Sequence, residues 1–477
     1  RRNSGWANGL SYAAALINAD VAPAYCGLAV VTGVFICWFY LTRFGLALFI
    51  GAVLFAVFWR RLNIFTTPEF YELRFGGMGG SVMRTWVAVR SSLIAMVAWT
   101  GTGLLAMHKI VEPVLGFGKT ATLLIVVPVV LLYAMAAGFS GVVAVAGVQS
   151  LIMFVGSALL CGLVLYQIGG PVALASHVQR VAGSDVLAAL PPAGNEVFPM
   201  AAGVAFLIGC SVGYGGDTAP IGGAMEGQCV LASRNAREAS KMYVVAALSL
   251  FVFLLLVTLP GLVAVVEWPE LRGPGADREQ AYGMLMAKFL PPGLLGLLFV
   301  VMMASVMSTI ASNLNFGSQV LVNDVYARLV PGRTQQHYLW IGRAAALLIL
   351  GLAMIVVYGV DLIFTVAVFM LNLAAAELPA NWAQWWWRFN VWGRLAAAFG
   401  APILLLAVKW GLPDWPWWNQ MYLVIGLNTV LWITVTLLTP ADPDRVLTRF
   451  YQAARPLGNW GPVRDRQLAL QGVPVEV

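Results

Sequence analysis

Long stretches without a charged side chain constrain this chain more than any other feature. Residues 120–179 contain no Asp, Glu, Lys or Arg, and shorter runs of this kind recur along the whole sequence. A helix needs about 20 apolar residues to cross a bilayer, so these runs predict membrane-spanning helices. Only 10% of the 477 residues are charged and the mean hydropathy is +0.82, which excludes a soluble enzyme.

We predict an all-α integral membrane protein with about twelve spans. Residues 138–141 (GFSG) predict a tight turn between the fourth and fifth spans. Successive loops lie on alternate sides, and most of the 28 Lys and Arg residues then fall on one side. The positive-inside rule therefore places both chain ends in the cytoplasm, with the protein in the inner (plasma) membrane. The predicted spans are residues 6–31, 34–59, 85–108, 120–138, 142–168, 198–230, 242–266, 291–323, 338–360, 362–387, 395–411 and 418–438.

Two of these spans are interrupted by the same pattern, Asp-x-Ala-Pro. It begins at Asp20 in the first span and at Asp217 in the sixth. A proline three residues after an Asp fits the first turn of a helix that the Asp caps, because proline has no N–H to lose there. The two carboxylates could serve as helix caps alone, or they could cap the half-helices and also contact a ligand. Paired breaks in two halves of a chain are typical of the central site of a secondary transporter.

The eighth span carries polar residues at helical spacing. They share one face of the predicted helix, and hydroxyls on such a face can join helices in lipid or bond to carbonyls one turn earlier. A hard cation such as Na⁺ prefers an all-oxygen cage, which this face and the first break could supply together. The residues are Ser305, Ser308, Thr309, Ser312, Asn315 and Gln319.

Several segments of the sequence resemble the sodium:solute symporters, which have the LeuT-type inverted-repeat fold. The Trp-rich run at 382–388, with Asn390 and Trp392, is similar to a bacterial subgroup of unknown substrate. The resemblance covers nearly the whole chain. The segments that carry it are 66–76 (TTPEFYELRFG), 138–142 with Gln149, 306–315 and 323–326.

The resemblance implies how the chain is divided. Spans one to five (residues 1–168) and six to ten (198–390) would form the two inverted repeats, joined by an external loop at 169–197. Two additional spans (391–438) and a cytoplasmic tail (439–477) would follow.

The resemblance also implies a sodium site between the first break and the eighth span. The ion, which is the cofactor of transport, would be held by backbone oxygens of Ala14, Ile17 and Ser305 and by the hydroxyls of Ser308 and Thr309.

We expect the solute to lie between the two broken spans, with the third and tenth spans closing the walls. Two acids in the site favour a sugar or polyol, bound by paired hydrogen bonds and aromatic stacking, or an amine. An amino acid, an organic acid and proton coupling in place of sodium stay open. The candidate solute-binding residues are Asn18, Asp20, Trp99, Tyr214 and Asp217.

The sequence departs from the family pattern in three places. Ala146 replaces an Asp that many members use for a second sodium ion, so we expect one ion. Gln228 is followed by Cys229 where the family often has Arg. The family usually has one more helix before the first broken one, and whether such a helix precedes this chain stays open.

Other functions fit the sequence less well. The basic residues form no clustered face with aromatic platforms, so we expect no nucleic-acid partner. A serine protease at Ser140 would need a facing His, yet His108, His177 and His337 all lie at span ends or in loops. A non-transporting sensor on the same fold stays an alternative. We expect the chain to function as a monomer, with the bilayer, the solute and sodium as its partners.

Overall fold

The computed structural model describes residues 4–16, 20–36, 46–64, 66–191, 198–209, 229–456 and 460–465. For residues 11, 14–16 and 133–150 it describes the backbone only. The described chain is helical, as predicted. The first helices are α1 (Gly5–Leu16), α2 (Val21–Thr32), α3 (47–62), α4 (Glu69–Phe75), α5 (Gly77–Leu115), α6 (Lys119–Gln167), α7 (Gly170–Ala182) and α8 (Met200–Leu207).

The second part of the chain continues in the same way. Short 3₁₀ turns lie at Ser184–Leu187, Pro269–Arg272 and Arg278–Gln280. The helices are α9 (Ala236–Glu267), α10 (Ala281–Phe289), α11 (Pro292–Leu329), α12 (Gln335–Gly359), α13 (Ile363–Ala376), α14 (Leu378–Ala383), α15 (Val391–Gly411), α16 (Trp417–Leu438) and α17 (Asp444–Ala454).

Six of the described helices are long and apolar enough to cross a bilayer: α5, α9, α11, α12, α15 and α16. A seventh candidate is the pair Leu151–Gln167 and Gly170–Ala182, bent by 69°. The membrane class predicted from the sequence is confirmed by these helices, and the count of twelve stays a prediction. Around the predicted first break, α1 ends at Leu16 and α2 begins at Val21. The second break lies outside the described residues.

The predicted turn between the fourth and fifth spans is wrong. The backbone is helical from Lys119 to Gln167, a single helix of 49 residues that includes residues 138–141. Glycine costs a helix only about 1 kcal/mol relative to alanine, so two glycines do not by themselves end a helix.

Helix α9 is the packing partner of the first two helices. Gly9 of α1 lies so close to α9 that a Cβ added there would stand 2.7 Å from Val245 Cβ. Gly261 of α9 approaches α2 in the same way, because its Cβ would stand 2.5 Å from the Cys26 carbonyl oxygen. Contacts this close require glycine, so the two residues fix how α1 and α2 lie against α9.

A second group of helices packs around α11. This helix lies against α5, α6 and α12, and α1 also contacts α6. Ser92 of α5 donates a hydrogen bond of 2.8 Å to the Gly317 carbonyl of α11. The hairpin of α15 and α16 packs against α13. Helices α1 and α11, which carry the two parts of the predicted sodium site, therefore share α6 as a neighbour.

The polar tail is more structured than its composition predicts. Helix α17 packs against α3 and α4. Arg74 of α4 is fully buried and pairs with Asp442, 3.2 Å away, just before α17. It also donates to the carbonyls of Gln384 and Trp386 in the Trp-rich run and to that of Phe389, which follows the run. The structure thus gives Arg74 a role in packing.

Candidate functional site

The polar face predicted on the eighth span lies on α11. Ser305 and Ser308 are 5% and 6% exposed, and Thr309 is half-buried. Thr309 Oγ1 donates to the Ser305 carbonyl at 3.0 Å, and Ser312 Oγ donates to the Ser308 carbonyl at 2.9 Å. These bonds to the preceding turn are the alternative role that the sequence left open. A hydroxyl that donates its hydrogen keeps its lone pairs, so these side chains could still contact a cation.

One predicted sodium ligand, the Ser305 carbonyl, already accepts hydrogen bonds. In a continuous α-helix the Ser305 carbonyl accepts the N–H of residue 309, and it also accepts the Thr309 hydroxyl. Both lone pairs of this oxygen are then in use. A cation could take the Ser305 carbonyl only if the Thr309 hydroxyl rotated away from it.

The polar face continues to the far end of α11. Asn315, Gln319 and Asn323 of that helix line a cavity of 360 Å³ together with Gln335 and Arg343 at the start of α12. Because amide side chains and a guanidinium line it, this cavity suits water or a polar group. It extends the hydrophilic face beyond the residues predicted to hold sodium.

At the first break, the structure confirms where α2 begins and corrects how. Asp20 directly precedes α2, and Pro23 lies in its first turn, as predicted. The Asp20 side chain makes no capping hydrogen bond, so the predicted cap is wrong. Its backbone is helical (φ −73°, ψ −26°), whereas a capping residue is typically extended. A capping side chain accepts from the backbone N–H of the second or third helical residue, and Pro23, the third residue of α2, has no N–H.

The other predicted site residues are described to different extents. The backbone of Ala14 lies in the last turns of α1, and Trp99 is half-buried in α5, where its carbonyl accepts Thr102 Oγ1 at 3.0 Å. Helix α5 packs against α11, so Trp99 and the polar face lie on neighbouring helices. Outside the described residues lie Ile17, Asn18, Tyr214 and Asp217.

One contact brings the first span near the end of the sixth. Asn8 Nδ2 of α1 donates to the Cys229 carbonyl and to Ser233 Oγ, each at 3.0 Å. Residues 229–233 lie at the end of the predicted sixth span, which was expected to finish at residue 230. The first span and the end of the predicted sixth span therefore contact each other.

A buried ionic triad lies between α5 and the tenth and eleventh predicted spans. Glu377, 1% exposed, pairs with Arg90 of α5 and, at 2.9 Å, with Arg394 of α15. Arg394 also donates to the Tyr71 hydroxyl at 3.2 Å. Sequence reasoning treated the arginines as topology signals and passed over Glu377. An ionisable residue inside a predicted span was the signal that could have found the triad.

A second buried carboxylate lies toward the other end of α5. Glu279 lies in the loop between α9 and α10, where it is 1% exposed. Its Oε2 and Oε1 accept the N–H groups of Ile363 and Phe364 at 2.7 and 2.9 Å, which caps α13. Burial raises the pKa of the Glu279 carboxyl to about 7, although these two bonds and Lys109 act to lower it. No periodic pattern in the sequence marks Glu279.

The same loop is also attached to α5. Lys109, which is 2% exposed, forms an ion pair with Asp277, and Gln280 bridges Asp277 and Glu112 of α5. Together with the Glu279 cap, these bonds tie the loop to α5 and α13, the third and tenth predicted spans. The two helices expected to close the walls of the solute site are thus joined by one loop.

The arrangement of these helices is similar to that of solved membrane transporters. A solved Na⁺-coupled sialic acid symporter in its substrate-bound, outward-open state superposes with a TM-score of 0.69 at 17% identity, over 92% of this chain and 91% of that one. Mhp1, a nucleobase-cation-symport-1 family transporter, gives 0.52 at 12% identity, over 95% and 97%. At these identities the likeness is one of fold.

Sequence comparison gives the family. The model of the sodium:solute symporter family matches residues 1–399, so the chain belongs to that family, as its motifs indicated. It is 26% identical to the sodium/mannose cotransporter of Bos taurus, over 61% of this chain and 52% of the relative. It is 25% identical to a sodium/glucose cotransporter of Vibrio parahaemolyticus, over 74% and 66%. The chain thus spans between about half and two thirds of the length of these relatives.

Proposed function

We propose that the chain carries out Na⁺-coupled symport of a small polar organic solute by alternating access, with a sugar or polyol as the favoured solute. The observation that carries this proposal is the buried hydroxyl face of α11 in a chain of the sodium:solute symporter family. The relatives named for mannose and glucose favour a sugar over an amino acid, an organic acid or an amine. Transport, and not an enzymatic reaction, is the activity of the family.

We infer that Na⁺ is held by backbone oxygens of Ala14 and Ile17, by the hydroxyls of Ser308 and Thr309, and by the Ser305 carbonyl. Rotation of the Thr309 hydroxyl away from that carbonyl, which it bonds at 3.0 Å, would free the carbonyl oxygen for the ion. The site then forms only when the first and eighth spans come together. Ala146, in place of an Asp, supports a single ion.

The solute would lie beside this ion, between the two interrupted spans. Asn18, Asp20, Tyr214 and Asp217 would bind it, with Trp99 stacking on it from the third span. The proposed layout is twelve spans with both ends cytoplasmic, in two inverted repeats (1–168 and 198–390), and the single chain would be the functional unit.

The energetics set an upper limit on accumulation. One Na⁺ moving down a potential of 100 mV gains about 2.3 kcal/mol, and a tenfold concentration gradient adds about 1.4 kcal/mol. The total of roughly 3.7 kcal/mol supports about 500-fold accumulation of the solute. A second ion would square that ratio.

A thermal-unfolding screen of the detergent-purified protein tests the proposal. The wild type is screened with sugars, polyols, amino acids, organic acids and amines, in 100 mM NaCl and in choline chloride. We expect a sugar or polyol to raise the unfolding midpoint only in Na⁺, since the ion completes the site. An effect that needs acidic pH and not Na⁺ would indicate proton coupling.

Two variants locate the ion. Ser308→Ala combined with Thr309→Ala should abolish the Na⁺-dependent part of the shift. Ser318→Ala is the matched control, because Ser318 is a buried hydroxyl of the same helix that bonds to the Leu314 carbonyl, away from the proposed site. If the double variant keeps the full Na⁺ dependence, the assignment of the sodium site to α11 is wrong.

A further inference from the structure

The molecule contains a second, much more apolar cavity, between α13 and the α15–α16 hairpin. Its volume is 610 Å³, within the range of about 300–1,000 Å³ typical of small-molecule sites. The only polar side chains among the described residues that line it are Thr365, Asn372, Lys409 and Gln420. The remaining walls come from α5, α12, α13, α15 and α16, for example Val97, Val356, Val368, Leu405 and Trp417.

The cavity lies among helices that face lipid. The most apolar stretches of α12, α15 and α16 are 28%, 39% and 28% buried, against 89% for α5. Phe369, at the rim, is 37% exposed, and Ile403 and Leu406 on the outer face of α15 are 66% and 42% exposed. Because these surfaces meet the acyl chains of the bilayer, a lipid can enter the cavity sideways without crossing water.

A single positive charge stands at one end of the cavity. Lys409 lies two residues before the end of α15, and its Nζ is 5.8 Å from the centre of the Phe369 ring. It is the one charged residue among the described residues that line the cavity. A lysine near a helix end extends to the membrane interface, where lipid phosphates lie.

The rim beside Lys409 is held in a fixed shape. Gln420 Nε2 donates to the carbonyls of Leu412 and Trp415 at 3.0 and 2.9 Å, which closes the turn between α15 and α16. Trp417 lies half-buried at the same end, in the position typical of interfacial tryptophans. The cavity therefore has an apolar body and an end suited to a phosphate at the depth of the head groups.

We propose that this cavity is a binding site for an anionic phospholipid of the surrounding bilayer, with one acyl chain between α5, α13 and α15 and the phosphate on Lys409. The lipid would pack against α5 and α13, the two helices that the Glu279 loop joins at the same face. Lipid binding would thus stabilise one arrangement of these helices and make the protein sensitive to bilayer composition. The proposal does not depend on which solute is transported.

Binding of defined lipids to the detergent-purified protein tests this directly. Native mass spectrometry measures the affinity for phosphatidylglycerol and for phosphatidylcholine, which differ in head-group charge. We expect the wild type to bind phosphatidylglycerol more tightly. Lys409→Gln should lower the affinity for phosphatidylglycerol about tenfold, the effect of losing one charged hydrogen bond, and should leave the affinity for phosphatidylcholine unchanged.

Two further variants distinguish a loss of binding in the cavity from an effect of overall charge and from misfolding. Lys288→Gln removes an exposed charge of α10 that pairs with Glu267 at the end of α9 and does not line the cavity, so both affinities should stay at the wild-type value. Val368→Phe fills part of the cavity and should weaken both lipids, while the unfolding midpoint without added lipid reports whether the variant is folded.

Three outcomes would overturn the proposal. The first is equal affinity of the wild type for the two lipids. The second is an equal loss in Lys288→Gln and Lys409→Gln, which would reflect the overall charge. The third is tight binding of palmitate without binding of phosphatidylglycerol, which would make the occupant a free fatty acid.

Discussion

At the scale of single residues, the most informative groups are buried and charged. Glu279 accepts two backbone N–H groups at the start of α13 and is almost inaccessible to water. Around it stand Lys109 and Asp277, with Arg278 as its neighbour in the chain. The helix N-terminus favours the charged carboxylate, and burial favours the neutral acid. Burial has the larger effect, so the pKa rises.

This balance predicts a pH dependence. The folded state holds the Glu279 proton up to a pH of about 7, whereas the unfolded state releases it near the ordinary pKa of 4.5. The stabilisation is therefore fully present below pH 4.5 and is lost as the pH rises through 7. We expect the unfolding midpoint of the wild type to fall over this window, and Glu279→Gln to remove this part of the fall.

The control for that measurement is Glu270→Gln, which changes an exposed carboxylate of the same loop. Its unfolding midpoint should follow the wild-type profile between pH 4.5 and pH 8. Should Glu279→Gln and the wild type lose stability in parallel across this range, the carboxyl would not titrate in the folded state as its surroundings indicate.

At the scale of helices, close approach fixes the arrangement of α1 and α9. Gly9→Ala would place a Cβ 2.7 Å from Val245 Cβ, so one of the two helices must move. Overpacking of this kind typically costs about 1–3 kcal/mol. We expect a lower unfolding midpoint and, because α1 carries Ala14, weaker stabilisation by Na⁺.

Gly296→Ala is the comparison for this substitution. Gly296 lies in α11, and a Cβ there would meet nothing within 4 Å. Its replacement should raise the midpoint slightly, since alanine favours a helix by about 1 kcal/mol. Equal effects of the two substitutions on the midpoint would mean that the contact between α1 and α9 is looser than the structure has it.

At the scale of the whole molecule, Arg74 joins three parts of the chain that are distant in sequence. It pairs with Asp442 before α17 and donates to carbonyls of the Trp-rich run from within α4. Removing one partner of a buried ion pair costs about 3–5 kcal/mol, because the other charge stays buried and uncompensated. We therefore expect Arg74→Leu to lower the unfolding midpoint strongly.

An exposed arginine of the same region provides the reference. Arg61→Leu removes an equal charge near the end of α3 and should change the midpoint little, as surface charges contribute about 0–1 kcal/mol. Asp442→Asn should lie between the two, since the three carbonyls still bind Arg74. A small effect of Arg74→Leu would show that the tail packs independently of this contact.

Periodic and local features of this protein could be predicted from its sequence. The charge-free runs gave the membrane class, and the spacing of Ser305, Ser308 and Thr309 gave one helical face, because helix geometry alone decides which residues share a face. The start of α2 after Asp20 was predictable because the Asp-x-Ala-Pro pattern is local. Whether Asp20 caps α2 could not be predicted, because capping depends on the backbone angles of Asp20 and on the N–H that Pro23 lacks.

The sequence by itself determined that the chain is a membrane protein and that α11 carries a polar face, since burial in lipid depends on composition and helical period. Only the tertiary structure decided that Glu279 caps α13 and that Glu377 joins Arg90 and Arg394. These contacts join residues far apart in the chain, up to 287 positions for Arg90 and Glu377. The sequence marks such charges as costly in the membrane, and only packing shows which partner compensates each one.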